Sequence, residues 1–146
     1  MSKLLPTLLQ IGNDNAKSAE CATKHANSFL KCAVGLVYSI PLTCGKVYID
    51  QTGRCINERL TEHKHSLRTG TRSHLPHHCK DCGKEEQKIC EAKLQETRIL
   101  CRSKDKTARE LLEAHRIKES GSSCVSTPSL VIHKNESLFL DKFRKI

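Results

Sequence analysis

Five residues in this chain have the chemistry needed to cut a phosphodiester: Tyr38, Tyr48, Arg59, His63 and Glu113. A tyrosine or histidine can move a proton to or from an attacking water. The planar fork of arginine holds a phosphate, and a carboxylate can bind a divalent cation. Only two tyrosines occur in the chain, and both belong to this set. Arg59 and His63 are four residues apart and so are neighbours on a helix surface.

The elements that must position them are readable in outline. Leu36, Tyr38 and Ile40 alternate with Val37 and Ser39, which predicts a strand that stops at Pro41. After a turn at Thr43-Cys44-Gly45, a second strand is expected from Lys46 to Gln51. Val47 and Ile49 would lie on one face, with Lys46, Tyr48 and Asp50 on the other. Ile56, Leu60 and Leu67 share a helical face, so a helix is expected over about 55–68. His63 lies near the middle of that stripe and Arg59 at its edge, both turned towards the sheet. Residues 69–92 read as a loop, and Thr97 to Cys101 as a third strand.

Thr107 and Glu110 fit a capping box that opens a helix from Ala108 to about Glu119. Its apolar face would be Leu111, Ala114 and Ile117, with Glu113 just beyond the edge. A short edge strand at Leu130 to His133 and a helical turn or two at Ser137 to Phe143 follow. The expected fold class is therefore α/β (α+β): a small three-stranded mixed sheet flanked by helices, in β-β-α-β-α order. Residues 1–34 read as a poorly ordered or weakly helical tail, 35–133 as the domain, and 134–146 as a basic C-terminal tail.

Composition narrows the partner. The 146 residues carry 25 Lys+Arg against 16 Asp+Glu, a net charge of +9, which points to a polyanion. Residues 54–80 concentrate that charge in Arg54, Arg59, Lys64, Arg68, Arg72 and Lys80, together with five histidines, against Glu58 and Glu62. No apolar run approaches the ~18 residues of a membrane helix. Lys3-Leu4-Leu5 is broken by Pro6 and Gln10, too early for a signal peptide. Nine cysteines without framework spacing predict reduced thiols in an intracellular protein.

Leu36-Val37-Tyr38, Tyr48-Ile49-Asp50, Arg59-Leu60-Thr61-Glu62-His63 and Glu113-Ala114-His115-Arg116-Ile117, in this order, resemble the motifs of the GIY-YIG nuclease superfamily. The flanks Ile40-Pro41-Leu42-Thr43-Cys44-Gly45-Lys46, Gln51-Thr52-Gly53-Arg54, His74-Leu75-Pro76-His77-His78-Cys79-Lys80-Asp81-Cys82-Gly83 and Cys124-Val125-Ser126-Thr127-Pro128-Ser129 resemble the endonuclease domain of Penelope-like retroelements of arthropods. The resemblance spans about residues 35–140. It implies metal-dependent nicking of double-stranded DNA and hence a nuclear location. Tyr38 would orient or deprotonate water with Tyr48 close by, Arg59 would hold the phosphate, His63 would assist proton transfer, and His74 would match a further active-site histidine. Glu113 would bind Mg²⁺ or Mn²⁺, and Arg54, Lys64, Arg68 and Arg72 would contact DNA. In the parent elements the domain follows a reverse transcriptase; nothing here resembles one, so the chain reads as a detached copy.

Asp50 departs from the pattern, standing where the family has glycine. By strand alternation it shares a face with Tyr48, so a negative charge would project towards the phosphate. Gly35 lies one position before the first triplet, which lacks its own glycine. Separately, Cys79-x-x-Cys82 has the spacing of half a zinc site, with Cys44, Cys55, His74 and Cys90 as candidates for the other ligands. Three functions follow: an active endonuclease domain, a catalytically impaired DNA-binding remnant, or a zinc-stapled interaction module.

Overall fold

The alternation of Leu36-Val37-Tyr38-Ser39-Ile40 produces the central strand of the sheet. The computed structural model describes Cys21 and residues 23–70, 74–86 and 89–128. Strand β1 (Leu36–Pro41) pairs with β2 (Val47–Thr52) on one side and β3 (Arg98–Arg102) on the other, in the order β2-β1-β3. Helix α1 spans Ile56–Thr69, α2 His74–Glu86 and α3 Lys106–Ser120, with short 3₁₀ turns at Leu94–Glu96 and Gly121–Ser123. The class is α+β, as expected.

Both strand pairings are antiparallel, so the expectation of a mixed sheet is corrected. The two helices after β2 carry the chain back across the sheet. β3 therefore runs in the direction of β2, but on the far side of β1. The register sets Tyr38 directly opposite Asp50, and Ile40 opposite Tyr48. These four share one face with Leu36. A bulge between Val37 and Tyr38 shifts the pairing to β3 immediately beside the first tyrosine.

Each face has its own core. Leu36, Tyr38, Ile40 and Tyr48 pack with Ile56 and Leu60 of α1 and Leu75 of α2. On the opposite face Val37, Ile49 and Cys101 pack with Leu112 and Ile117 of α3. The inward stripe of α3 thus runs through Leu112 and not Leu111, which is only half-buried. Successive helical residues differ by about 100°, so this rotation carries Glu113 inward to 5% exposure, not beyond the edge. The helix is capped by Asp105, whose Oδ1 accepts from the Ala108 N–H at 2.9 Å. Asp caps at least as well as Thr, and Thr107 lies inside the helix.

Helix α2 replaces most of the expected loop. Two buried residues, Leu75 and Pro76, anchor its first turn, where proline is tolerated. Gly35 adopts φ +65°, and a Cβ there would lie 2.7 Å from the Ser103 carbonyl oxygen. At Gly53 a Cβ would meet Nη2 of the buried Arg109 at 2.8 Å. That guanidinium donates to Gln51 Oε1, Ser103 O and Lys104 O, tying β2 to the turn before α3. Residues 124–126 run along the outer edge of β2, where Val125 N–H donates to Val47 O and Ile49 N–H to Ser126 Oγ. The expected elements at 130–133 and 137–143 lie outside the described residues.

Residues 23–34 form no helix or strand, yet they are tied down. They cross the start of α1: Ala33 O accepts the Ile56 N–H at 2.9 Å. Asn57, fully buried, accepts the N–H of Phe29 and Leu30 on Oδ1 and donates from Nδ2 to Leu30 O at 2.7 Å.

Candidate functional site

Cross-strand pairing and the pitch of α1 bring four side chains to one point. Tyr38 Oη donates to Asp50 Oδ2 at 3.1 Å, and Arg59 Nη2 donates to the same oxygen at 2.8 Å. His63 Nε2 lies 2.8 Å from Tyr38 Oη and 3.5 Å from Asp50 Oδ2. A phenol has one proton. With that proton donated to the Asp50 carboxylate, the tyrosine oxygen is left to accept from His63 Nε2–H. Asp50 Oδ1 takes the Gln51 N–H at 2.8 Å, so both carboxylate oxygens are engaged. The Tyr48 ring stands edge-on to His63, with 5.4 Å between centroids.

The electrostatics follow from this packing. Burial alone would raise the Asp50 carboxyl, but hydrogen bonding with His63 and the charge of Arg59 hold it down at about 2. Burial, and then the Asp50 charge, push the Tyr38 phenol well above its ordinary value, and Arg59 only partly offsets them. Tyr48 is raised by the same two causes, with a smaller contribution from Glu113. Burial opposes the charge on Arg59, yet the Asp50 carboxylate raises its pKa overall. The centre is a neutralised ion pair flanked by two phenols held in their neutral form.

Tyr38, Tyr48, Arg59 and His63 therefore converge, as the sequence predicts. Glu113 lies on α3, the helix packed on the other face of the sheet, and is linked to this group only through the effect of its charge on Tyr48. For His74 only a backbone place is described, the first residue of α2.

The predicted DNA contacts are unequal. Arg54 pairs with Glu58 at 3.0 Å and with Glu62. Lys64 donates to Asn27 Oδ1 at 3.1 Å. Exposed Arg68 lines a groove of about 900 Å³ with Lys64, Lys80 and Glu91, and the Asp50 centre does not open into it. Arg72 lies outside the described residues.

Two further clusters are built from sulfur and imidazole. Cys44, His78, Cys82 and Cys90 place one ligand atom each within 4.8 Å of one another, as do Cys21, His25, Cys32 and Cys55. Either set could hold a metal ion and suits structural zinc. The first joins the β1–β2 turn to α2 and to the segment before β3. Of Cys79-x-x-Cys82 this set takes Cys82, while Cys79 stands beside it, its thiol within hydrogen-bonding reach of Cys90. On a helix, His78 and Cys82, four apart, face the same way, and Cys44, Cys79 and Cys82 all pack against the apolar core that includes Cys90. His78-x-x-x-Cys82 was the sequence signal for this set, and Cys21-x-x-x-His25 for the other. Among the described residues no further group of three or more such donors forms, so Asp50 and Glu113 do not make a third. No family model, curated protein or solved structure matches this chain. Among the described residues, no helix is long and apolar enough to cross a membrane.

Proposed function

We propose that the chain is a DNA-binding domain of GIY-YIG nuclease type, derived from a retroelement, whose phosphodiester-cleaving centre is suppressed by its own Asp50. The observation that carries this reading is the 2.8 Å contact from Arg59 Nη2 to Asp50 Oδ2. A scissile phosphate would need the anion-holding fork of Arg59 and the hydroxyl of Tyr38, and the Asp50 carboxylate takes both. It acts as a tethered anion at an effective concentration that a DNA phosphate must overcome.

In the cleaving form, Arg59 would grip a phosphate oxygen while Tyr38 and His63 position the attacking water and carry its proton away. Tyr48 would buttress the His63 ring from the side. Glu113 would hold Mg²⁺ or Mn²⁺ as its single protein ligand, a sparse set that suits an ion keeping most of its waters. Such an ion, when bound, stabilises the charge that develops on the phosphate. The groove lined by Lys64, Arg68 and Lys80 supplies phosphate contacts, and the DNA substrate implies the nucleus.

The reading is tested by nicking of supercoiled plasmid in Mg²⁺. The Asp50→Gly chain should nick, and adding Arg59→Ala or Glu113→Ala should abolish it. Nicking that persists through both additions contradicts the assignment. If Asp50→Gly neither nicks nor binds DNA, a zinc-stapled interaction module, which the two Cys/His clusters favour, becomes the better account.

A further inference from the structure

We infer that Cys21, His25, Cys32 and Cys55 form a zinc site that fastens residues 21–34 across the N-terminus of α1. This does not rest on the nuclease reading. The ligand atoms already crowd to tetrahedral scale. His25 Nε2 lies 3.1 Å from Cys21 Sγ and 3.4 Å from Cys55 Sγ, and all four atoms fall within 4.8 Å of one another. Zinc–sulfur and zinc–nitrogen bond lengths place tetrahedral ligands about 3.5–3.8 Å apart, so the set closes on an ion with small shifts.

Position gives a second argument. Cys55 is the N-cap residue of α1 and makes no side-chain cap hydrogen bond. Three thiolates and a neutral imidazole around Zn²⁺ carry one net negative charge, which the positive end of the helix dipole favours. The backbone prepares the same junction through the Ala33–Ile56 hydrogen bond and the Asn57 clasp on Phe29 and Leu30. A disulfide could join only two of the cysteines, leaving the third and the histidine without a reason to converge. The metal uses all four. Its consequence is mechanical: it fixes the start of the helix that carries Arg59 and His63, one and two turns further on.

Metal analysis of the chain purified without chelator tests this. Cys82→Ser should keep zinc, and adding His25→Ala should remove it. His25→Cys, which restores a four-thiolate set, should retain it in the same background. Zinc that is lost in Cys82→Ser and kept in His25→Ala overturns the proposal, and so does a natural chain without zinc. Should a variant fail to fold, the natural chain loaded with ¹¹³Cd serves. Cadmium couplings to the Hβ protons of Cys21, Cys32 and Cys55 and to the His25 ring are expected, and their absence overturns the site. A thiol count of seven instead of nine after denaturation with chelator would place a disulfide in the chain; a Cys21, Cys32 or Cys55 pairing overturns the site equally.

Discussion

The Asp50 carboxylate is met by complementary groups at both oxygens, whereas in the two Cys/His clusters like donors face like donors. The carboxylate of Asp50 meets a guanidinium, a phenol and a backbone N–H. The thiols of Cys21, Cys32 and Cys55 meet one another and an imidazole. A self-complementary centre gains little from a ligand and resists one, because binding must first break what is already paired. A group of soft donors crowded together is completed by a cation. One region is thus closed by its own sequence, and the other two invite an ion.

The largest effect expected from this contrast is on the clusters. Chelation at neutral pH should lower the melting temperature by more than about 10 °C, since structural zinc contributes on the order of 10 kcal/mol of folding free energy in small domains. A melting curve unchanged by chelator would remove the distinction between the two kinds of region. Next comes the clasp beside the first cluster. Asn57→Ala strips hydrogen bonds from two N–H groups and a carbonyl and should cost about 2–3 kcal/mol in urea unfolding. A loss below about 0.5 kcal/mol would mean that residues 29–32 are not held as described.

The paired centre should show itself through pH. The Asp50 side chain is 17% exposed and its carboxyl is lowered from 3.8 to about 2. A depressed carboxyl stabilises the fold above its ordinary value, and that stabilisation fades as pH falls from about 4 towards 2. The contribution is about 2 kcal/mol. Urea unfolding across this range should lose that much in the natural chain and distinctly less in Asp50→Asn; identical slopes would show that the pair contributes nothing. The smallest effects concern the proposed binding of DNA. Arg68→Ala should reduce the salt slope of binding by about 1. Arg54→Ala should change it less, because Glu58 and Glu62 already neutralise Arg54. The reverse ranking would place the DNA elsewhere.

Much of the centre was legible in the sequence because it depends on local period. Alternation put Tyr48 and Asp50 on one face of their strand, and a spacing of four aligned Arg59 with His63. Their convergence on Tyr38 followed once α1 packed on that face. What stayed hidden depends on distant partners or on unusual donors. Helix α2 carries little apolar periodicity because Cys79, Cys82 and His78 occupy positions that Leu or Ile would otherwise mark. Asn57 reads as a polar intrusion in an apolar stripe until residues 29 and 30 arrive to meet it. Cys21 and Cys32 looked like part of a tail, since their fourth partner, Cys55, lies across a strand hairpin. Leu111 and Leu112 are adjacent, and only packing against Val37 and Ile49 decides which faces inward and so where Glu113 goes.

The central claim is that Asp50 suppresses an otherwise recognisable centre, and the most direct measurement is the nicking rate of supercoiled plasmid in Mg²⁺ by the natural chain and by Asp50→Gly under single-turnover conditions. The account predicts that Asp50→Gly is faster by at least about tenfold, a barrier change of about 1.4 kcal/mol, with the gain lost on adding Glu113→Ala. Equal rates, or a natural chain that cuts faster than Asp50→Gly, would contradict it.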